Sequence, residues 1–263
     1  MEPKVIFEDQ DLLVLDKPAG MIVNNADTTK DLVTVQDWVE KYLQITNSKS
    51  QIPNKSQIQN NNDQNTQVFI SPEETFKSRA GIVHRLDKET SGILLVAKTL
   101  LAFVNLQAQF KERKVQKTYI ALAHGKIEPE VGEINVAVGR LPWNRKRFGV
   151  IADGRESVTM YKVLSIKYLA GKKESEPLTL VELYPKSGRT HQIRVHLQYI
   201  HHPIFSDPLY AGRKTSRNDR ELLPRVFLHA AKISFNHPKT NAPLSLESPL
   251  PEDLDGFLKG LEA

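Results

Sequence analysis

Apolar residues recur along this chain in two rhythms, and each predicts a kind of element. Val5-Ile6-Phe7, Leu12-Leu13-Val14-Leu15 and Met21-Ile22-Val23 are short apolar runs set apart by turn formers, Glu8 to Asp11 and then Lys17-Pro18-Ala19-Gly20. Residues 5–23 therefore read as three short strands, with Lys17 as a solvated turn lysine. From Thr34 the period lengthens. Val35, Trp38, Val39, Tyr42 and Leu43 recur at helical spacing over 34–44, behind a hydroxyl able to cap the first turn. Residues 47–67 are rich in Asn, Gln and Ser, offer almost nothing to bury, and read as a flexible surface insertion.

Beyond the insertion, Ile82-Val83 and Ile93-Leu94-Leu95-Val96 bracket a polar stretch. A second helix is expected from Leu100 to Lys114, with Phe103, Val104, Gln107 and Phe110 on one side. Strands are expected at Lys117–Ala123, Ile134–Val138, Ser157–Ile166, Leu178–Leu183 and Phe227–Phe235. Ile193, Leu197 and Ile200 make a helix stripe that His201-His202-Pro203 ends. Residues 212–224 read as a polar loop, and Leu254, Phe257, Leu258 and Leu261 as a short tail helix. Many strands with scattered helices imply an α+β fold.

Composition narrows the chemistry. The chain has 263 residues, 40% of them hydrophobic, and carries a formal net charge of +5, which permits a polyanionic partner without demanding one. It contains no cysteine, so thiolate zinc sites, disulfides and a cysteine nucleophile are excluded. No signal-length apolar segment opens the chain, and no run approaches the roughly 20 apolar residues of a membrane helix, so the expected setting is cytoplasmic, with no membrane partner.

The polar stretch is His84-Arg85-Leu86-Asp87-Lys88-Glu89-Thr90-Ser91-Gly92. Polar residues between two strands make an ordinary turn, but this one lacks the usual Gly/Pro/Asn mixture. An aspartate beside an arginine and a histidine at the end of a buried strand is a frequent setting for catalysis. By its own composition either reading stands. In the strand that follows, Tyr119, Ala121 and Ala123 share a face; the small alanines leave room for a planar ligand on the ring, although a core tyrosine fits as well.

Basic residues gather in three places. Lys111 and Lys114 close the second helix, where they suit either the helix dipole or an RNA phosphate. Arg145, Lys146 and Arg147 are interleaved with Trp143 and Phe148, a mixture that fits a nucleic-acid-contacting loop. Arg189 and Arg194 lie five apart, so on one helix they point in different directions, one to a cleft and one to solvent. His191, His196, His201 and His202 match no metal-ligand spacing with a supporting carboxylate, so no metal site is expected.

These stretches, in this order, resemble the RluA family of RNA pseudouridine synthases. VIFEDQDLLVLDKPAGMIV (residues 5–23), HRLDKETSG (84–92), KTYIALAHG (117–125), LTLVELYPKSGRTHQIRVH (178–196) and FLHAAKISFNHP (227–238) are similar to the family's successive motifs and cover nearly the whole chain. The resemblance implies a large mixed, mostly antiparallel sheet with a central cleft and peripheral helices. It implies isomerisation of uridine to pseudouridine in structured RNA, ribosomal RNA in preference to transfer RNA, with no cofactor. Asp87 is then the essential carboxylate, Arg194 its ion-pair partner, Tyr119 the ring against the base, and Arg85 the residue that fills the gap left by the flipped nucleotide. Arg189 and the basic residues named above become candidate RNA contacts. Relatives often carry an S4 RNA-binding domain before the first motif. Here that motif begins at residue 5, so one catalytic domain over 1–263, without S4 and acting as a monomer, is expected.

Rival readings differ in chemistry. A uracil C5-methyltransferase needs a cysteine that this chain lacks, and no G-x-G-x-x-G loop follows a strand. A hydrolase of the same glycosidic bond would release free uracil. A non-catalytic RNA-binding or ribosome-assembly protein on the same fold would not need Asp87, Tyr119 and Arg194 together.

Overall fold

The apolar run Ile93 to Ala97 is solvent-free on both faces, and the sheet is built outward from it. A computed structural model describes residues 2–26, 29, 32–44, 71–145, 147–170 and 176–262. In chain order these form β1 (Lys4–Glu8), β2 (Leu12–Lys17), α1 (Val35–Tyr42), α2 (Pro72–Ser78), β3 (Ser91–Ala97), α3 (Leu100–Lys111) and β4 (Gln116–His124). There follow β5 (Val131–Asn135), β6 (Val138–Arg140), β7 (Phe148–Val150), β8 (Val158–Leu169), β9 (Leu178–Pro185), α4 (Gln192–Tyr199) and α5 (Arg213–Leu222). The chain closes with β10 (Leu228–Asn236), β11 (Pro243–Glu247), α6 (Glu252–Lys259) and β12 (Leu261–Glu262).

Among the described residues, ten strands form one sheet in the order β1-β2-β3-β10-β4-β9-β8-β12, with β11 on β10 and β5 on β8. Every pairing is antiparallel except β3 with β10. β6 and β7 make a separate two-stranded ribbon.

Burial on both faces explains the unbroken apolar runs Leu12 to Leu15 in β2 and Ile93 to Ala97 in β3. Leu12, Val14, Ile93, Leu95 and Ala97 pack on one face with Phe103 and Leu106 of α3. Leu13, Leu15, Leu94 and Val96 pack on the other with Val35 and Val39 of α1. Each such side chain contributes about 1.5–3 kcal/mol of burial. A third cluster joins β4, β9 and α4 to the C-terminal segment, through Val181, Leu197, Phe205, Phe227 and Leu254.

Thr34 caps α1 through a full capping box with Asp37, as its position predicts. Several expectations give way. Met21 to Val23 form no strand; instead the Ile22 and Val23 carbonyls accept from the backbone of Val35 and Gln36 at the start of α1. α3 stops at Lys111, because Glu112 caps it and Arg113 turns left-handed at φ 59°. Residues 134–138 divide between β5 and β6, residues 213–222 form a helix rather than a loop, and Leu261 leaves the tail helix for β12. The expected insertion at 47–67, and Lys146, lie outside the described residues. No helix among the described residues is long and apolar enough to cross a membrane.

Lys17 is the largest reversal. It is fully buried, and its ammonium donates to the carbonyls of Pro18 (2.8 Å), Met21 (2.9 Å) and Lys88 (3.2 Å). Burial, then the Arg225 charge, brings its pKa down to about 7, against the pull of Asp87 and Asp16. A lysine read as turn polarity in fact ties the Lys17–Gly20 turn to the residue after Asp87; the Gly20 amide reinforces the tie by donating to the Lys88 carbonyl at 2.8 Å.

Candidate active site

Asp87 sits in the loop that leads into β3, and that loop is fixed from both sides. Ile82 bridges Val96 across a wide hairpin, and the next rung is made by a side chain: the Leu95 amide donates to His84 Nε2 at 2.9 Å. His84 can accept only when neutral, and burial, then the charges of Lys117 and Arg79, lowers its pKa to about 3. At the far end Ser91 Oγ accepts from Arg225 (2.8 Å) and meets His229 Nδ1 (2.9 Å). Gly92 has φ +109°, and a β-carbon there would lie 2.3 Å from the Ala230 carbonyl oxygen, so only glycine lets β3 meet β10 at this point.

That meeting also positions Tyr119. Gly92 pairs with Ala230, and Ala230 pairs with Tyr119 on β4. Strands about 4.8 Å apart therefore bring the tyrosine to the row where the Asp87 loop ends. Burial, then the Asp87 charge, pushes the Tyr119 phenol above its ordinary value and keeps it protonated.

Arg194 comes from α4 and is itself buried. Its Nε and Nη2 donate to the two carboxylate oxygens of Asp207, at 2.7 and 2.9 Å, and its Nη1 reaches Asp87 Oδ2 at 3.1 Å. Burial opposes the Arg194 charge, but its hydrogen bonds and charge pairing with Asp207, then with Asp87, outweigh it and hold the guanidinium above its ordinary pKa. The guanidinium also lies over the Tyr210 ring, 5.1 Å from its centroid.

A hydrogen-bond chain reaches Asp87 from the ribbon. The Phe148 amide donates to the Tyr210 hydroxyl oxygen (3.1 Å), which leaves the phenolic hydrogen for His191 Nδ1 (2.9 Å). His191 then carries its proton on Nε2, which faces Asp87 Oδ2 at 3.8 Å. Burial lowers the His191 pKa, with Asp87 pulling the other way. Arg194 and His191 thus both address Oδ2, and Asp87 itself lines the cleft.

The cleft brings together Arg85, Asp87, Lys117, Tyr119, Arg189, His191 and Arg194. Asp87, Tyr119 and Arg194 converge from three segments spread over 107 residues of sequence. Arg85 is exposed at the rim. Arg189 lines the cleft from the turn before α4 rather than from the helix, and its Nε is a buried donor without a partner. The N-cap of α4 is His191 in the left-handed region, and the Gln192 side chain gathers Ser187 Oγ and the Arg189 amide. Arg147 stacks on the Tyr210 ring at 5.3 Å, and Arg145 and Trp143 stand exposed at the ribbon tip. Lys111 and Lys114 are exposed and do not line the cleft; Lys114 pairs with Glu112 at 2.7 Å.

Sequence reasoning missed four residues here. Asp207 has a signal, a lone carboxylate between Phe205 and Tyr210. Lys117, whose pKa burial lowers to about 8, donates to the Ser187 carbonyl at 2.9 Å and is legible only as the first residue of a strand. His191 and Tyr210 have no sequence signal for their roles.

The family described as RNA pseudouridylate synthase matches residues 11–199, which hold every residue of this cleft except Leu228. The chain belongs to that family. It is 36% identical over 261 residues to ribosomal large subunit pseudouridine synthase D of Nitrosomonas europaea, covering 98% of this chain and 65% of the relative. An uncharacterized RNA pseudouridine synthase of Bacillus subtilis is 34% identical, over 99% of this chain and 73% of its own length. The solved structure of human RNA pseudouridylate synthase domain containing 1 superposes with a TM-score of 0.67 at 25% identity, over 97% of this chain and 87% of its own. The chain thus spans 60–65% of the length of the first ribosomal large subunit relatives it matches. The family resemblance read from the motifs, and the α+β fold with its large, mostly antiparallel sheet, are both borne out.

Proposed function

We propose that this protein isomerises uridine to pseudouridine in large-subunit ribosomal RNA. The observation that carries the reading is a carboxylate, Asp87, held at a cleft by an arginine that is itself locked by a second carboxylate. The relatives, ribosomal large subunit pseudouridine synthases among them, support the reaction and the ribosomal substrate. Transfer RNA is the second substrate class.

In the reaction the C1′–N1 glycosidic bond breaks, the uracil turns, and C1′ bonds to C5. The C5 proton leaves, N1 gains one, and the atoms of substrate and product are the same. Asp87 acts as the nucleophile or base that opens the bond, through the oxygen left free by Arg194 and His191. Arg194 orients that carboxylate and balances its charge inside a partly closed site. Tyr119 stacks on the detached base, and its protonated hydroxyl relays the C5 proton. A stacked uridine must first leave its helix, at a cost of a few kcal/mol. Arg85 fills the gap, while Arg189, Arg145, Lys146, Arg147, Lys111 and Lys114 supply phosphate contacts that offset that cost. The proposal includes a monomeric catalytic unit working in the cytoplasm, with the unbroken sheet as its single framework.

Incubation of the protein with ribosomal RNA, followed by nucleoside analysis, tests this. Pseudouridine appearing at the expense of uridine supports it; free uracil, or unaltered RNA, overturns it.

A further inference from the structure

α5 carries a charge pattern that its own stability does not explain. Ser216 and Asp219 turn inward, and Leu223 beyond the helix continues that buried stripe. Asp219 anchors it by accepting from the Ser206 amide (3.0 Å) and meeting His124 Nε2 (2.9 Å). At about 100° per residue, Arg213, Arg217 and Arg220 fall within about 60° of one another on the helix circumference. Like charges at i, i+4 and i, i+3 destabilise a helix. Arg213 and Lys214 also sit in the first turn, which holds no acidic residue, and cations there oppose the helix dipole.

The stripe begins at the active-site loop. Arg220 pairs with Glu89, two residues from Asp87, and Glu89 also accepts from the Val226 amide at 3.1 Å. The segment leading into α5 holds Tyr210, which contacts His191 and Arg194. Both ends of the helix are therefore pinned to the site. Among the described residues, Arg213, Lys214 and Arg217 are exposed and carry no acidic partner.

We propose that α5 is a binding element for the RNA backbone: Arg213 and Arg217, with Lys214 beside them, engage phosphates of the strand that flanks the target uridine. Phosphates neutralise the stripe and remove its mutual repulsion, which makes a helix of this composition stable in the complex. The inference rests on the proposed function, which supplies RNA as the partner.

The test is binding of a uridine-containing RNA stem–loop, measured by fluorescence anisotropy across a salt series. The Arg213→Ala/Arg217→Ala protein is expected to bind on the order of ten-fold more weakly near 0.1 M salt, with the slope of log affinity against log salt reduced by about 2. Arg213→Lys/Arg217→Lys keeps the charge and should keep the slope, which separates phosphate binding from damage to the helix. Alanine substitutions that leave affinity and slope unchanged, or lysine substitutions that lose both, overturn the proposal. Pseudouridine formation by the unaltered protein is read in parallel: if it fails while the slopes differ as expected, the reaction is misassigned and the RNA surface stands; if it succeeds while the slopes coincide, α5 alone is misassigned.

Discussion

Arg194 gives two of its nitrogens to Asp207, at 2.7 and 2.9 Å, and only the third to Asp87, at 3.1 Å. The buried, fully paired carboxylate sets the direction of the guanidinium, and the half-buried one receives its remaining charge. Desolvating an arginine is costly, and the bidentate geometry is what compensates. Among the described residues it also leaves Asp87 without a second tight partner, as the proposed reaction requires.

Asp207→Ala should therefore impair Asp87 at one remove. It leaves a buried guanidinium half paired, at a cost of about 3–5 kcal/mol of stability. Arg194→Ala should remove activity as well. Denaturant unfolding and turnover, measured together, check this; normal turnover in Arg194→Ala would show that Asp87 needs no ion pair.

Tyr119→Phe keeps a ring on the same face of β4 and removes only the hydroxyl. Product formation should fall by orders of magnitude while RNA affinity stays near that of the unaltered protein. Unchanged single-turnover kinetics would mean that the hydroxyl carries no proton.

Tyr210→Phe removes the oxygen shared by the Phe148 amide and His191. Each loses a partly buried partner, a loss of about 1–3 kcal/mol in such settings. Hydrogen exchange at Phe148 should quicken, and the ribbon should loosen from α4. Unaltered protection at Phe148 would show that the ribbon is held by packing alone.

Acid should weaken the fold through buried histidines. His84 and His196 have pKa values brought down, first by burial, to about 3 and about 4 from an ordinary 6.5. The unfolded chain takes up these protons first, so the stabilisation is complete above pH 6.5 and is lost as pH falls from there toward 3. Urea midpoints across that window should decline, and His84→Gln, which keeps an acceptor for the Leu95 amide without titrating there, should decline less. Parallel curves for the two proteins would contradict the role given to His84.

The parts legible in the sequence share a cause. Ile93 to Val96 and Leu12 to Leu15 announce strands buried on both faces, and Thr34 announces a helix start, because those signals are local. The motifs around Asp87, Tyr119 and Arg194 single these residues out, and all three line one cleft. Lys17 is not singled out, because a lysine gives no local sign that three carbonyls will surround it. Asp207, His191 and Tyr210 gain their roles only when β9, α4 and the following turn fold over one another. By its sequence α5 resembles a loop, because charge repulsion and an uncapped start hide a helix that tertiary anchors at Asp219 and Arg220 maintain.

On the proposed function, Asp87 performs the chemistry while the surrounding cations bind the RNA. Asp87→Asn preserves the shape of that side chain and removes its charge. Pseudouridine formation on ribosomal RNA by this protein should fall to background, with RNA affinity close to that of the unaltered enzyme. Turnover retained by Asp87→Asn would contradict the account.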